Sequence, residues 1–314
     1  MLLINESGLI IRDTGNISIR INTEDVAKIN IPLVCYGIGY DICPYDNGKF
    51  NKEFWDNLQE IINKCALFSV RNQGTLDIFA SNNIDTCKIE VVPSASAFIK
   101  SNEYKHACLS KPGMKIGINW ATDNIEKRYG SVGDAILKFR LIINILNEIS
   151  QKYNAGIYLI EHNAKDFLNA NIKNEMHRII KEILSDRGNI LYEEVLNELF
   201  PPYDYTSQFF VDIYRQMDII VCSREGANIV AFGQNVPSIG AGRHDGMRWT
   251  AEHTGMEGLI IDLDRSPGEI YAQAINILEN TIKNANEHKR AMSMRYAEFE
   301  YIKNAFVDKI IKLM

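Results

Sequence analysis

Apolar residues follow two rhythms along the chain, and the rhythms alternate. Short runs occur at 31–36, 66–70, 89–92, 115–119, 157–160, 189–192, 219–222, 236–239 and 259–261. Their length and their β-branched content predict strands, several of them buried on both faces. Between them, apolar residues recur every three or four positions, which predicts helices. Asn51 caps one that carries Phe54, Leu58, Ile61 and Ile62. Ser131 caps a long one that carries Phe139, Ile142, Ile143, Leu146 and Ile149, and Gly156 is expected to break it. Others cover 172–184 and, behind Thr206, the run Phe209, Phe210, Ile213 and Met217. Ser266-Pro267-Gly268-Glu269 is a helix start, with Pro first and Glu positioned to bond back to the cap. Helix then continues to Met314, with a break near Asn284.

Strands alternating with helices of this length imply parallel sheets joined by right-handed crossovers. The polar stretch Lys105 to Gly113, with its Pro and Gly, separates two such runs. The fold class expected is therefore α/β, with two Rossmann-like domains facing a cleft, at 1–108 and 109–314. The order of the strands is not contained in the pattern.

Composition narrows the function. With 46% hydrophobic and 24% charged residues the chain is an ordinary globular one. A net charge of −6 gives no support to a nucleic-acid partner. The six cysteines form no CxxC pair and read as reduced, mostly buried thiols of a cytoplasmic protein. No run reaches the length of a membrane span, and the first residues lack the features of a signal peptide. Asp/His clusters at metal-ligand spacing and a serine nucleophile elbow are also missing.

The richest stretch is Met217 to Met256, which reads strand, tight turn, short helix, strand, polar loop. Ser223, Arg224, Glu225 and Gly226 follow the first of these strands, and Arg243, His244, Asp245 and Arg248 follow the second. Ligands of open parallel sheets bind beyond the carboxyl ends of strands, against helix N-termini. Two arginine-bearing turns at neighbouring strand ends therefore describe an anion pocket.

Several segments together resemble the polysaccharide pyruvyl transferase family, whose members have two Rossmann-like domains of the glycosyltransferase-B type. They are LLINESGLI at 2–10, IPLVCYGIG at 31–39, CALFSVRNQGTL at 65–76, IYLIEHNAKD at 157–166 and, most specifically, Asp218 to Pro237. The last is similar to the family's order of Asp, strand, Arg-x-His, helix and Gly-x-Pro. There are two departures. Gly226 stands where the family has its histidine, and the chain begins after the family's opening strand–helix section, so the first domain is expected to lack its first elements.

The resemblance implies transfer of the enolpyruvyl carbons of phosphoenolpyruvate to two hydroxyls of a surface-polysaccharide sugar, giving a ketal. The donor is a substrate, and no further cofactor is implied. A doubly anionic donor calls for planar, bidentate arginines, which the resemblance places at Arg224 and Arg71. Protonating the methylene carbon calls for an acid. With Gly226 in the histidine position, His244 is the leading substitute and Glu225 the second. Ser69, Gly37, Gly39, Gly226, His162, Asp245 and Arg248 complete the candidate binding set. Gly226 would let backbone N–H groups approach a phosphate. The Gly37-x-Gly39 pair reads equally as a tight turn, His162 as a structural residue, and His244-Asp245 as a solvated pair. Two other functions stay open: a nucleotide-sugar glycosyltransferase with Glu225 on the ribose, and a non-catalytic sugar- or anion-binding member. The partners expected are a small donor and a sugar acceptor, with no transmembrane segment but room for peripheral contact with a lipid-linked sugar.

Overall fold

The computed structural model describes residues 1–5, 10–13, 16–19, 23–40, 45, 51–106, 109, 113–160, 170–190, 207–242 and 245–314. The chain forms two compact units, one of Met1–Ala95 with Arg295–Met314, the other of Ser96–Met294.

In the first unit, β1 (Leu2–Asn5) leads to an antiparallel hairpin of β2 (Ile10–Asp13) and β3 (Asn16–Ile19). Next come β4 (Leu33–Ile38), β5 (Leu67–Val70) and β6 (Ile89–Val91). β1, β4, β5 and β6 form one parallel sheet in that order. Every residue of β4 is buried, as its unbroken apolar run requires. Helices Lys52–Lys64 and Gln73–Ser81 make the crossovers on either side of β5. The first starts where the sequence places it, with the Phe54 amide donating to Asn51 Oδ1 at 2.8 Å, and it buries Phe54, Trp55, Leu58, Ile61 and Ile62.

In the second unit, six parallel strands stand in the order β12-β11-β10-β7-β8-β9. They are β7 (Met114–Asn119), β8 (Ala155–Leu159), β9 (Gly188–Ile190), β10 (Ile219–Cys222), β11 (Ser238–Ala241) and β12 (Ile260–Ile261). From β7 the sheet grows one way through β8 and β9, and the other way through β10, β11 and β12. The progression therefore reverses between β7 and β10, the arrangement that opens a crevice at the carboxyl ends of those two strands. Helix Val132–Tyr153 crosses from β7 to β8, with Ser131 Oγ accepting from the Asp134 amide at 3.0 Å.

Three sequence expectations change. Gly156 does not break the long helix: it is the second residue of β8, and Asn154, left-handed at φ 51°, ends the helix. The boundary expected in 105–113 moves, because the stretch from Ser96 runs with the second unit. There Gln234 Nε2 donates to the Ile99 carbonyl at 3.0 Å, and the His106 amide donates to Gln216 Oε1 at 3.2 Å. Finally, the end of the long C-terminal helix (Ala285–Ile311) does not stay with the second unit. Phe306 packs edge-on against Tyr36, ring centres 5.7 Å apart, and with Ile310 it joins Val34 and Val92 in the core of the first unit. A helical apolar stripe shows that a core will be met, but not which one. The predicted break at Asn284 is present, between helices Pro267–Lys283 and Ala285–Ile311.

Candidate functional site

The candidate residues fall into two clusters, one in each unit. In the first unit they lie at the carboxyl ends of β4 and β5. Gly37 adopts φ 62°, a left-handed conformation that only glycine enters without strain, and the β4–β5 register shifts between Cys35 and Ile38. The Gly37 amide donates to Ser69 Oγ at 2.9 Å, and that hydroxyl donates to the Cys35 carbonyl at 3.3 Å. Ser69 and Gly37 thus serve one another, and both are spent on shaping the end of β4.

Gly39 has a different reason to be glycine. A β-carbon there would collide with the guanidinium of Arg71, which lies against the bare backbone. Asn72 caps the next helix, its Oδ1 accepting from the Thr75 amide at 2.9 Å and from the Thr75 hydroxyl at 2.8 Å. The Arg71 backbone is therefore pinned by a helix start, and its side chain rests on a cradle cleared by Gly39.

In the second unit, Arg224 occupies the cap position between β10 and helix Glu225–Gly233 and is only 7% exposed. Its Nη2 meets Asp123 Oδ1 at 2.7 Å, and Arg128 Nε reaches the same oxygen at 3.3 Å. Asp123 follows β7, so this trio spans the two strand ends where the sheet reverses. Burial pushes the Asp123 carboxyl up, but the guanidinium groups of Arg128 and Arg224 outweigh it and hold the group below the usual carboxylate range. Two guanidinium groups thus share one carboxylate at a helix N-terminus, where backbone N–H groups also favour an anion.

Side chains lock that corner. Ser223 Oγ accepts from the Ala121 amide at 2.6 Å, and Asn119 Nδ2 donates to the Ile160 carbonyl at 3.0 Å, tying the ends of β10, β7 and β8 together. Tyr129, fully buried, stacks on Trp120 with ring centres 5.3 Å apart and planes 7° from parallel. Burial pushes its hydroxyl up to about 12, against the opposing pull of Ser223 and of the two arginines. Glu225 is buried too, and Oε1 accepts from the Thr250 hydroxyl at 2.8 Å. Gly226 follows it in the first turn of the helix.

The remaining candidates lie on the helix after β11 or outside the described residues. Asp245 and Arg248, expected in a loop, belong to helix Asp245–Thr254. They pair with each other at 3.1 Å, both more than half exposed. His162 and His244 lie outside the described residues. Among the described residues, no three His, Cys, Asp or Glu side chains converge as a metal site would require, and no helix is long and apolar enough to cross a membrane. Sequence reasoning missed Trp120, Asp123, Arg128 and Tyr129. They sit beyond the first strand of the second sheet, and the signal that marks them is the strand order, which places that end beside Arg224.

A family model described as polysaccharide pyruvyl transferase matches residues 16–245. No curated protein sequence matches the chain. Among solved structures it is similar to S. aureus MnaA in a co-structure with UDP, at 14% identity and TM-score 0.52, covering 86% of this chain and 64% of that one. It is also similar to the UDP-GlcNAc 2-epimerase of Neisseria meningitidis bound to UDP-GlcNAc, at 13% identity and TM-score 0.54, covering 92% and 72%. Anabaena Alr3699/HepE in complex with UDP and glucose matches at 13% identity and TM-score 0.53, covering 90% and 72%. The chain spans about two thirds of the length of these structures, and the likeness supports two Rossmann-like units of the glycosyltransferase-B kind.

Proposed function

The chain belongs to the polysaccharide pyruvyl transferase family, and from that premise we propose that it carries the pyruvyl group of phosphoenolpyruvate to a sugar of a surface polysaccharide or its precursor. In the proposed reaction the methylene carbon takes a proton and becomes a methyl group. One sugar hydroxyl adds to the adjacent carbon, phosphate leaves, and a second hydroxyl closes the ketal. One hydroxyl proton ends on the methyl group and the other on phosphate.

The observation that carries this reading is the trio of buried Arg224 with half-buried Asp123 and Arg128 at the point where the sheet reverses. Asp123 orients the Arg224 guanidinium, so a donor anion meets a grip already held in place. Arg71, on its Gly39 cradle, is the second grip in this proposal. The acid is His244: it follows β11, the neighbour of β10, by three residues, whereas Glu225 already accepts from Thr250. Ser69 and Gly37 support the Arg71 loop, and Gly226 leaves the helix N-terminus open for phosphate. His162, which follows β8, and the exposed pair Asp245 and Arg248 belong to the acceptor side. The protein works in the cytoplasm on a small donor and a sugar acceptor, needing no cofactor.

A second reading has support from the similar structures, which are complexes with UDP or UDP-GlcNAc: in it the same corner holds a nucleotide sugar, as acceptor or as glycosyl donor. Phosphate release from phosphoenolpyruvate, assayed with lipid-linked and nucleotide-linked sugars, separates the two. Pyruvyl transfer predicts acceptor-dependent phosphate release that falls by about 100-fold in Arg224→Ala, the loss of a charge-assisted bidentate contact. No release with any acceptor, together with thermal stabilisation by UDP and not by phosphoenolpyruvate, supports the nucleotide-sugar reading instead.

A further inference from the structure

We propose that Cys35 and Cys65, in the first unit, are a redox-active thiol pair that a small disulfide oxidises to an intramolecular bridge. This modification does not rest on pyruvyl transfer. The two sulfurs lie 3.6 Å apart, in hydrogen-bond contact, although 30 positions separate them in the chain. Cys35 lies within β4, and Cys65 follows helix Lys52–Lys64 as its C-cap. Local backbone holds Cys65 in place. Its amide donates to the Ile61 carbonyl at 3.0 Å and to the Ile62 carbonyl at 3.2 Å, and the Ala66 amide donates to the Leu33 carbonyl at 2.8 Å. In the sheet, Leu67 then pairs with Val34 and Phe68 with Cys35. The crossover itself therefore brings the sulfurs together, and a bond needs a contraction from 3.6 Å to about 2 Å.

Exposure divides the work between the two thiols. Cys65 is half-buried and can be reached from solvent, whereas Cys35 is fully buried. The hydrogen bond with Cys65, and then burial, push the Cys35 thiol well up, so it keeps its proton while Cys65 reacts first. The Cys65 thiolate attacks one sulfur of the small disulfide, whose S–S bond breaks and whose other half leaves as a thiol. Cys35 then attacks the Cys65 sulfur of this mixed disulfide, and the second half leaves with the Cys35 proton. The two cysteines lose two electrons and two protons, and the small disulfide gains both as it becomes two thiols. The product ties the end of the helix to β4, an inner strand of its sheet. Such a bridge restrains the unfolded chain and so favours the folded unit.

The test is incubation of the full chain with oxidised glutathione, followed by blocking of free thiols, digestion and mass spectrometry. A peptide joining Cys35 to Cys65 is expected, and it should disappear when dithiothreitol is added before the blocking step. The oxidised protein should melt on the order of 5 °C above the reduced one. Cys35→Ala, which keeps a small apolar group at the buried position, should retain glutathione on Cys65, because no neighbouring thiol expels it. Cys65→Ser, at the half-buried position, should leave Cys35 unmodified and lose the gain in melting temperature. The proposal is overturned if the parent yields no joined peptide, if glutathione stays on Cys65 in the parent as it does in Cys35→Ala, or if the oxidised parent melts no higher than the reduced one.

Discussion

Arg71 and Arg224 carry the same charge and are held by different means. Arg224 is gripped by a carboxylate, while Arg71 lies on a glycine, and the two respond differently to substitution. In Gly39→Ala the new methyl group displaces the end of a flexible side chain and no backbone. Stability should therefore change by less than about 1 kcal/mol, while phosphoenolpyruvate affinity by calorimetry falls by about tenfold for a displaced bidentate contact. Unchanged affinity would remove Arg71 from the donor site. Asp123→Asn removes the carboxylate between the buried guanidinium of Arg224 and the half-buried one of Arg128 and should cost on the order of 2 kcal/mol in urea unfolding. Because folding depresses the Asp123 ionisation, the carboxylate contributes stability that is fully present above its unfolded value, about pH 3.9, and is lost as the pH falls through its folded value. The parent should lose stability more steeply than Asp123→Asn below about pH 4. Parallel acid limbs would show that the trio contributes nothing to the fold.

At the scale of elements, much was legible. Asn51, Ser131 and Ser266 each start the helix that their side chains predict, because capping is a local interaction that the sequence states in full. Positions decided by distant backbone were not legible. Gly233 reads as a helix terminator, yet a β-carbon there would run into the carbonyl of Ala97, more than a hundred residues away. Gly233→Ala must move backbone, so it should cost about 2–3 kcal/mol and loosen the 96–106 stretch, seen as faster amide exchange there. Normal stability would mean that the 96–106 stretch is not close-packed against Gly233. Likewise, Gly156 and Asn154 were exchanged in role because a left-handed asparagine leaves almost no mark in sequence. Arg248 and Asp245 looked like loop ligands because their helix is short, mixed in polarity and begins directly after residue 244.

For the whole molecule, the alternation of strands and helices was enough for the α/β class and for two parallel sheets, and the family segments agreed with it. Strand order was not legible, since parallel crossovers of equal length permit many orders. That gap hid Asp123, Arg128, Tyr129 and Trp120, whose meaning depends on β7 lying beside β10. The destination of the last helix was equally hidden, because Phe306 and Ile310 would suit either core. The proposed function assigns both Arg71 and Arg224 to the binding of phosphoenolpyruvate. A double-mutant cycle on phosphoenolpyruvate binding, with Arg71→Lys, Arg224→Lys and the pair measured by calorimetry, tests this most directly. Two arginines on one anion predict a coupling of at least about 0.5 kcal/mol between the substitutions. Strictly additive losses, or a parent protein that does not bind phosphoenolpyruvate, would contradict it.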